Sequence, residues 1–178
     1  MLLLFVIVGL ILGLIRGGSL KNINNNFPEK LLLPILALLI EFLFSLDPVY
    51  PEWMVVPIEY MLLFWFVACN LKKAAWSIWF GIGTLLNFLV ISMNDFRMPV
   101  SASLLNNNKY LNISTALSNG EIFGYTIADT NTHLTFLGDI MAFSPFGKLI
   151  GFASVGDIFL GIGTAFLAYH MVKSNIKK

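Results

Sequence analysis

The sequence predicts an all-α integral membrane protein: a five-helix transmembrane bundle with a small extracytoplasmic cap between its fourth and fifth helices. Three observations carry this. The 178 residues are 57% hydrophobic and only 12% charged, a composition outside the range of soluble globular domains. The apolar residues gather in runs at about 1–15, 30–46, 53–70, 74–93 and 153–172, each near the roughly 20 residues that a helix needs to cross a bilayer. Residues 94–152 lose that hydropathy, and a stretch of this length is uncommon as a bare loop unless it has structure or function of its own. A single membrane domain, 1–178, is expected.

The first run is continuously apolar and stops at Arg16-Gly17-Gly18. It lacks a basic leader and an A-x-A-like cleavage site, so it reads as a retained helix. The linker 17–29 is rich in Asn and Gly and ends at Pro28, a composition that favours turns over helix. The second run carries Pro34 in its first turns, where a missing N–H is tolerated, and Glu41 in its apolar body. Asp47 to Trp53 is a short turn with interfacial aromatics, so runs two and three form a helical hairpin. The third run contains Pro57 and Glu59. The fourth follows Leu71-Lys72-Lys73 and contains Gly81, Gly83 and Asn87, whose small size suits close helix contact. The 94–152 segment holds the turn-rich Asn106-Asn107-Asn108 and the β-prone Ile122 to Ile127, and a cap with room for a β-hairpin is expected. The last run ends before Lys173.

Eight of the eleven Lys and Arg residues fall on one side of the spans, which makes that side cytoplasmic. The amino terminus and the 94–152 cap then face out and the carboxyl terminus faces in, the expected location being a cytoplasmic membrane. The net charge of +1 supplies no basic stripe for phosphates, so nucleic acid is excluded as a partner. Membrane lipids are the partners expected. Cys69 lies within an apolar run and reads as a small buried hydrophobe, while His133 and His170 fall on opposite sides of the membrane. Neither a metal nor a cofactor is expected.

Chemistry concentrates between His133 and Thr164, which hold Asp139 and Asp157, each preceded by glycine and followed by isoleucine. The topology brings both to one leaflet. Two carboxyls close together in a site of low dielectric cannot both ionise, so one stays protonated and donates while the other accepts. That is general acid and base work in one site. Asp157 has a structural reading as well, because Ser154-Val155-Gly156-Asp157 has capping-box spacing. Asp139 has one too, as a Gly-Asp turn between apolar runs. Glu41 and Glu59, in the outer half of the hairpin, meet each other, line a polar cavity or reach for the interface, and they are not expected to be catalytic. Arg97 clamps a carboxylate, a phosphate headgroup or one member of the aspartate pair, or anchors the interface. Asn87 bonds a substrate backbone or a neighbouring helix.

The residues Leu137-Gly138-Asp139-Ile140 and Ala153-Ser154-Val155-Gly156-Asp157, with Gly163 six residues on, resemble the two aspartate motifs of lipoprotein signal peptidase (signal peptidase II), a family of small membrane aspartyl peptidases. The spacing is similar too, with aromatics and Pro145 between the acids. Ser154 stands where that family has asparagine, and Asn94-Asp95-Phe96-Arg97 is a loose counterpart of its G-N-x-x-D-R motif. The resemblance implies a peptidase of the bacterial cytoplasmic membrane acting at the outer leaflet on a peptide or lipopeptide substrate, with Asp139 and Asp157 as its catalytic dyad and Asn94 and Arg97, joined by Asn87, positioning substrate. Over nearly the whole chain, Gly13 to Leu20, Leu86 to Ile91, Arg97 to Ser101, Phe136 to Asp139 and Val155 to Ile158 are similar to a bacterial membrane family of unknown function. That resemblance implies fold and location and supplies no activity. The competing expectation is a non-enzymatic module that binds a lipid, a small hydrophobic ligand or a partner protein.

Overall fold

The computed structural model describes residues 1–47, 49–72, 75–105, 111–144 and 151–173. Its long helices are α1 (Leu2–Ile15), α2 (Leu32–Leu46), α3 (Glu52–Asn70) and α4 (Trp76–Ser92). Two short helices of the cap follow, α5 (Ala102–Leu105) and α6 (Leu111–Ser118), and α7 (Val155–Val172) is last. Each apolar run of the sequence is therefore a helix, within a few residues of its expected bounds. The second starts late because Lys30 is left-handed, at φ 56°, which no α-helix accommodates. Among the described residues α3 and α7 are long and apolar enough to cross a membrane, and α1, α2 and α4 are shorter apolar helices.

The long helices pack as a row in the order α2, α3, α4, α7, α1. The α3–α4 seam is aromatic, with Phe66 against Trp76 and Phe80, and Tyr60 and Phe64 against Phe88. Both seams of α7 are made of glycines. On the α4 side a Cβ at Gly83 would lie 2.5 Å from the carbonyl oxygen of Gly156 and the nitrogen of Leu160, and Gly163 meets the backbone of Phe80 as closely. On the α1 side Gly9 faces Ala165 and Gly13 faces Tyr169 and Val172, so α1 runs parallel to α7. Backbones that approach this far gain dispersion contact along the whole crossing, which drives helix pairing where lipid removes the hydrophobic drive. Large apolar side chains such as Ile11, Leu39, Met61, Ile78 and Phe166 remain exposed on the outer faces.

The linker 17–29 departs from expectation. It holds a 3-10 helix, Leu20–Asn25, because its asparagines have partners at the end of α7. Asn22 Nδ2 donates to the carbonyls of Val172 (3.1 Å) and Lys173 (3.2 Å), and Asn26 Nδ2 to those of Met171 (3.4 Å) and Lys173 (2.9 Å). These carbonyls have no acceptor role within the helix and need such donors. Asn26→Ala is expected to lower stability by about 1 kcal/mol, measured as a lower thermal midpoint in detergent, with no change in the cap.

The cap is built on β1 (Met98–Val100), which pairs in parallel with β2 (Tyr125–Ile127) in the register Pro99↔Thr126. Val100 also bridges Asp139 in parallel, so β1 lies between the two. Val100, Leu105 and Leu117 form a small core under α5 and α6. The β-prone piece at 122–127 therefore joins β1 through a crossover that contains α6, because parallel partners cannot be joined by a tight turn. An antiparallel pair does exist, β3 (Met141–Phe143) with β4 (Gly151–Ala153). Residues 145–150 of the connection, Pro145 included, lie outside the described residues, as do Asn106, Asn107 and Asn108.

Candidate functional site

Asp157 is held by the start of its own helix and by α4. Ser154 caps α7: its Oγ accepts from the Asp157 N–H at 3.0 Å, and Asp157 Oδ2 accepts from the Ser154 N–H at 3.0 Å. The capping box read from the sequence is present. Asn87 completes the arrangement across the seam, its Nδ2 donating to Asp157 Oδ1 at 2.9 Å and its Oδ1 accepting from the Ser154 hydroxyl at 2.8 Å. Both Asp157 oxygens thus face N–H donors. Asn87 contacts the neighbouring helix, the second of the two roles expected for it, and it fixes the aspartate in place.

Among the described residues Asp139 is held through its backbone. Its N–H donates to the Pro99 carbonyl and its own carbonyl accepts from the Ser101 N–H, each at 2.9 Å. The side chain is 2% exposed, and Oδ1 has no hydrogen-bond partner among the described residues. Burial first, and the negative charge of Asp157 second, push its carboxyl up to about 7, because both penalise the ionised form. The two Gly-Asp pairs share one logic. A Cβ at Gly138 would lie 2.5 Å from the Pro99 carbonyl oxygen, and one at Gly156 would overlap the Asn87 amide. Each glycine lets the backbone approach the element that positions the acid after it.

Both aspartates open into one cavity of about 790 Å³. It runs from Asp139 and Tyr125 in the cap down to Leu167 and Met171 on α7, and Asn87, Glu41 and Glu59 also line it. Glu59 is 7% exposed and its Oε1 has no partner among the described residues, while Glu41 stands exposed at the mouth. The two glutamates feel each other's charge, and Glu41 feels that of Asp157. Tyr125, which was not singled out in the sequence, shares the cavity and lies within electrostatic reach of Asp139. Its only sequence signal was its place in a β-prone run.

Asn94 and Arg97 are not among the residues lining the cavity. Asn94 ties the end of α4 to the cap: Nδ2 donates to the carbonyls of Val90 (2.6 Å) and His133 (2.9 Å), and Oδ1 accepts from the His133 N–H at 2.9 Å. It steadies the segment that leads to Asp139. Arg97 forks onto Glu52, Nε to Oε1 at 2.9 Å and Nη2 to Oε2 at 3.1 Å. With the Arg97 side chain 47% exposed, the pair is screened and weak. Arg97→Ala is expected to cost no more than about 1 kcal/mol and to leave ligand binding in the cavity unchanged within twofold, as read by titration.

Among the described residues no group of three or more His, Cys, Asp or Glu side chains is disposed to hold a metal ion. The model of a protein family of unknown function matches residues 19–169, starting past α1 and covering most of α7. No curated protein and no solved structure matches the chain.

Proposed function

The chain belongs to that family, DUF5317, whose members carry no assigned function, and from the site itself we propose a membrane-embedded aspartyl hydrolase, a peptidase acting at the outer leaflet. The observation that carries this reading is the contrast between two acids in one cavity. Asp157 accepts from two N–H groups, whereas the buried Asp139 has an oxygen without a partner and a carboxyl raised to about 7. Environments that push two carboxyls apart in this way assign the base and the acid.

In the proposed reaction a water attacks the carbonyl carbon of an amide, Asp157 takes the proton from that water, and Asp139 gives its proton to the carbonyl oxygen. The tetrahedral intermediate collapses as the proton on Asp157 passes to the leaving nitrogen, the C–N bond breaks and Asp139 recovers its proton from the hydroxyl. Asn87 and Ser154 are positioning residues. The similarity of the Asp139 and Asp157 motifs to those of lipoprotein signal peptidase supports the same reading.

Membrane embedding of all five long helices, with the amino terminus and the cap outside, belongs to this proposal. It is supported by their apolar exposed faces and by the small buried shares of α3 and α7, 39% and 33%, where the core helix of a soluble domain is mostly buried. Along the row α2, α3, α4 and α7 alternate in direction and α1 runs parallel to α7, which supports the topology drawn from the charge count. The experiment is cleavage of membrane-derived peptides by the purified protein in nanodiscs. Turnover that persists in both Asp139→Asn and Asp157→Asn would sink the hydrolase. The apolar walls of the cavity favour the second reading, a module that binds a lipid or small hydrophobic ligand, in that event.

A further inference from the structure

The lower half of the cavity holds a second pair of acids that the proposed hydrolysis does not use. Glu59 lies seven residues into α3 from Glu52, about 10 Å below the cap end of the helix. Glu41 faces it from α2. An acid placed this deep in an apolar bundle is costly, and two within each other's field more so. Glu59, one of the residues lining the cavity, is nevertheless almost fully buried, and its Oε1 has no partner among the described residues.

We propose that Glu41 and Glu59 form a cation subsite, so that the ligand of this cavity is an amphiphile whose ammonium group lies between the two glutamates and whose apolar chain fills the space toward Leu167 and Met171. The inference rests on the cavity as the substrate site and names the class of substrate it takes.

Four observations converge on that chemistry. The cavity is lined by Glu41, Glu59, Asp139 and Asp157 and by no Lys, Arg or His side chain among the described residues. The amino group of Met1 is the one positive group in the lining among the described residues, and with Asp139 protonated the remaining carboxyls still outnumber it, so the site attracts a positive group and repels an anionic headgroup. The rings of Tyr60, Tyr125, Phe96 and Phe123 are in the same walls, and aromatic faces beside carboxylates suit an ammonium ion. Below the glutamates the lining turns apolar, with Leu63, Phe80 and Leu160, which fits a hydrocarbon chain and not a second charge. A bare divalent ion fits poorly, because Ca²⁺ takes six to eight oxygen ligands and Mg²⁺ an octahedron, and two carboxyls between aromatic rings supply neither.

The test is calorimetric titration of the protein in nanodiscs, against empty nanodiscs, with decyltrimethylammonium and with 1-decanol and decyl sulfate as its uncharged and anionic counterparts. The cation is expected to bind at least tenfold tighter than either. The Glu41→Gln/Glu59→Gln double variant is expected to lose that preference, and Arg97→Ala, outside the cavity, to keep it. Equal binding of the three probes, or an unchanged preference in the double variant, overturns the proposal. Should the double variant not fold, Glu41→Gln alone, at the exposed mouth, must still weaken cation binding by at least threefold. Cleavage by the wild-type protein with no cation preference refutes the subsite and leaves the hydrolase standing. Cation preference without cleavage does the reverse.

Discussion

Asp139→Asn is expected to reduce turnover by about 10²- to 10⁴-fold, the usual contribution of a positioned acid, and at the same time to make the protein more stable at pH 8. The two effects have one origin. The carboxyl of Asp139 is raised from its ordinary 3.8 to about 7, chiefly by burial. Between these values the native chain holds a proton that the unfolded chain has lost, so stability falls as the pH rises through this window. The stabilisation is fully present below the unfolded value and is gone above about 7. The loss is on the order of 4 kcal/mol across the window. Asparagine has no proton to lose and a nearly equal volume, so the variant should slope downward less steeply than the wild-type protein. Thermal unfolding at pH 4, 6 and 8 checks this. A wild-type midpoint that rises with pH over this range would show that Asp139 ionises freely and would remove it as the acid.

The second large effect is expected at Asn87. Asn87→Leu takes away the acceptor of the Ser154 hydroxyl, which is 0% exposed, and the donor to Asp157 Oδ1. Leaving a buried polar group unpaired costs about 1–3 kcal/mol, more where a charge is involved, and the branched side chain also meets Gly156, where no space exists for it. A loss of about 3 kcal/mol or more follows, together with a fall in turnover of about 10²-fold as Asp157 loses its orientation. Asn87→Asp separates the two effects, because it keeps an acceptor for Ser154 and sets a second carboxyl against Asp157. It should fold better than the leucine variant and be as poor in turnover. An Asn87→Leu protein with wild-type midpoint and rate would show that the three-residue network orders nothing.

Much of this architecture could be read from the chain because it is written locally. The helices follow from unbroken apolar runs, and the start of α7 from four residues, Ser154 to Asp157, whose spacing alone specifies the cap. Gly81 and Gly83 announced close contact without naming a partner. What escaped is long-range. Met98-Pro99-Val100 has the composition of a turn, and nothing in it shows that it will pair with residues 125–127 on one edge and Asp139 on the other. Asn22 and Asn26 read as loop residues because their partners, the carbonyls at 171–173, are about 150 residues away in sequence. The site was legible in the same partial way. Its two aspartates stood out by spacing and by resemblance, and the glutamates by their cost, but Tyr125 acquires meaning only from the crossover that brings it beside Asp139. Asn94 and Arg97 were noticed for their types, and their hydrogen bonds turn out to tie scaffold to scaffold.

The row of helices gives the cavity one stiff wall and one compliant wall. α7 is clamped on both sides by glycine seams that leave its backbone no room to rotate or slide, and Asp157 rides on it. α2 has α3 as its only substantial helix partner among the described residues, and it is latched at its cap end by the stacking of Phe44 on Phe123. The residue on the yielding wall is Glu41. Were the cavity to take the ligand proposed for it, α2 would be the wall to yield, carrying Glu41 aside, while Asp157 stays fixed on α7.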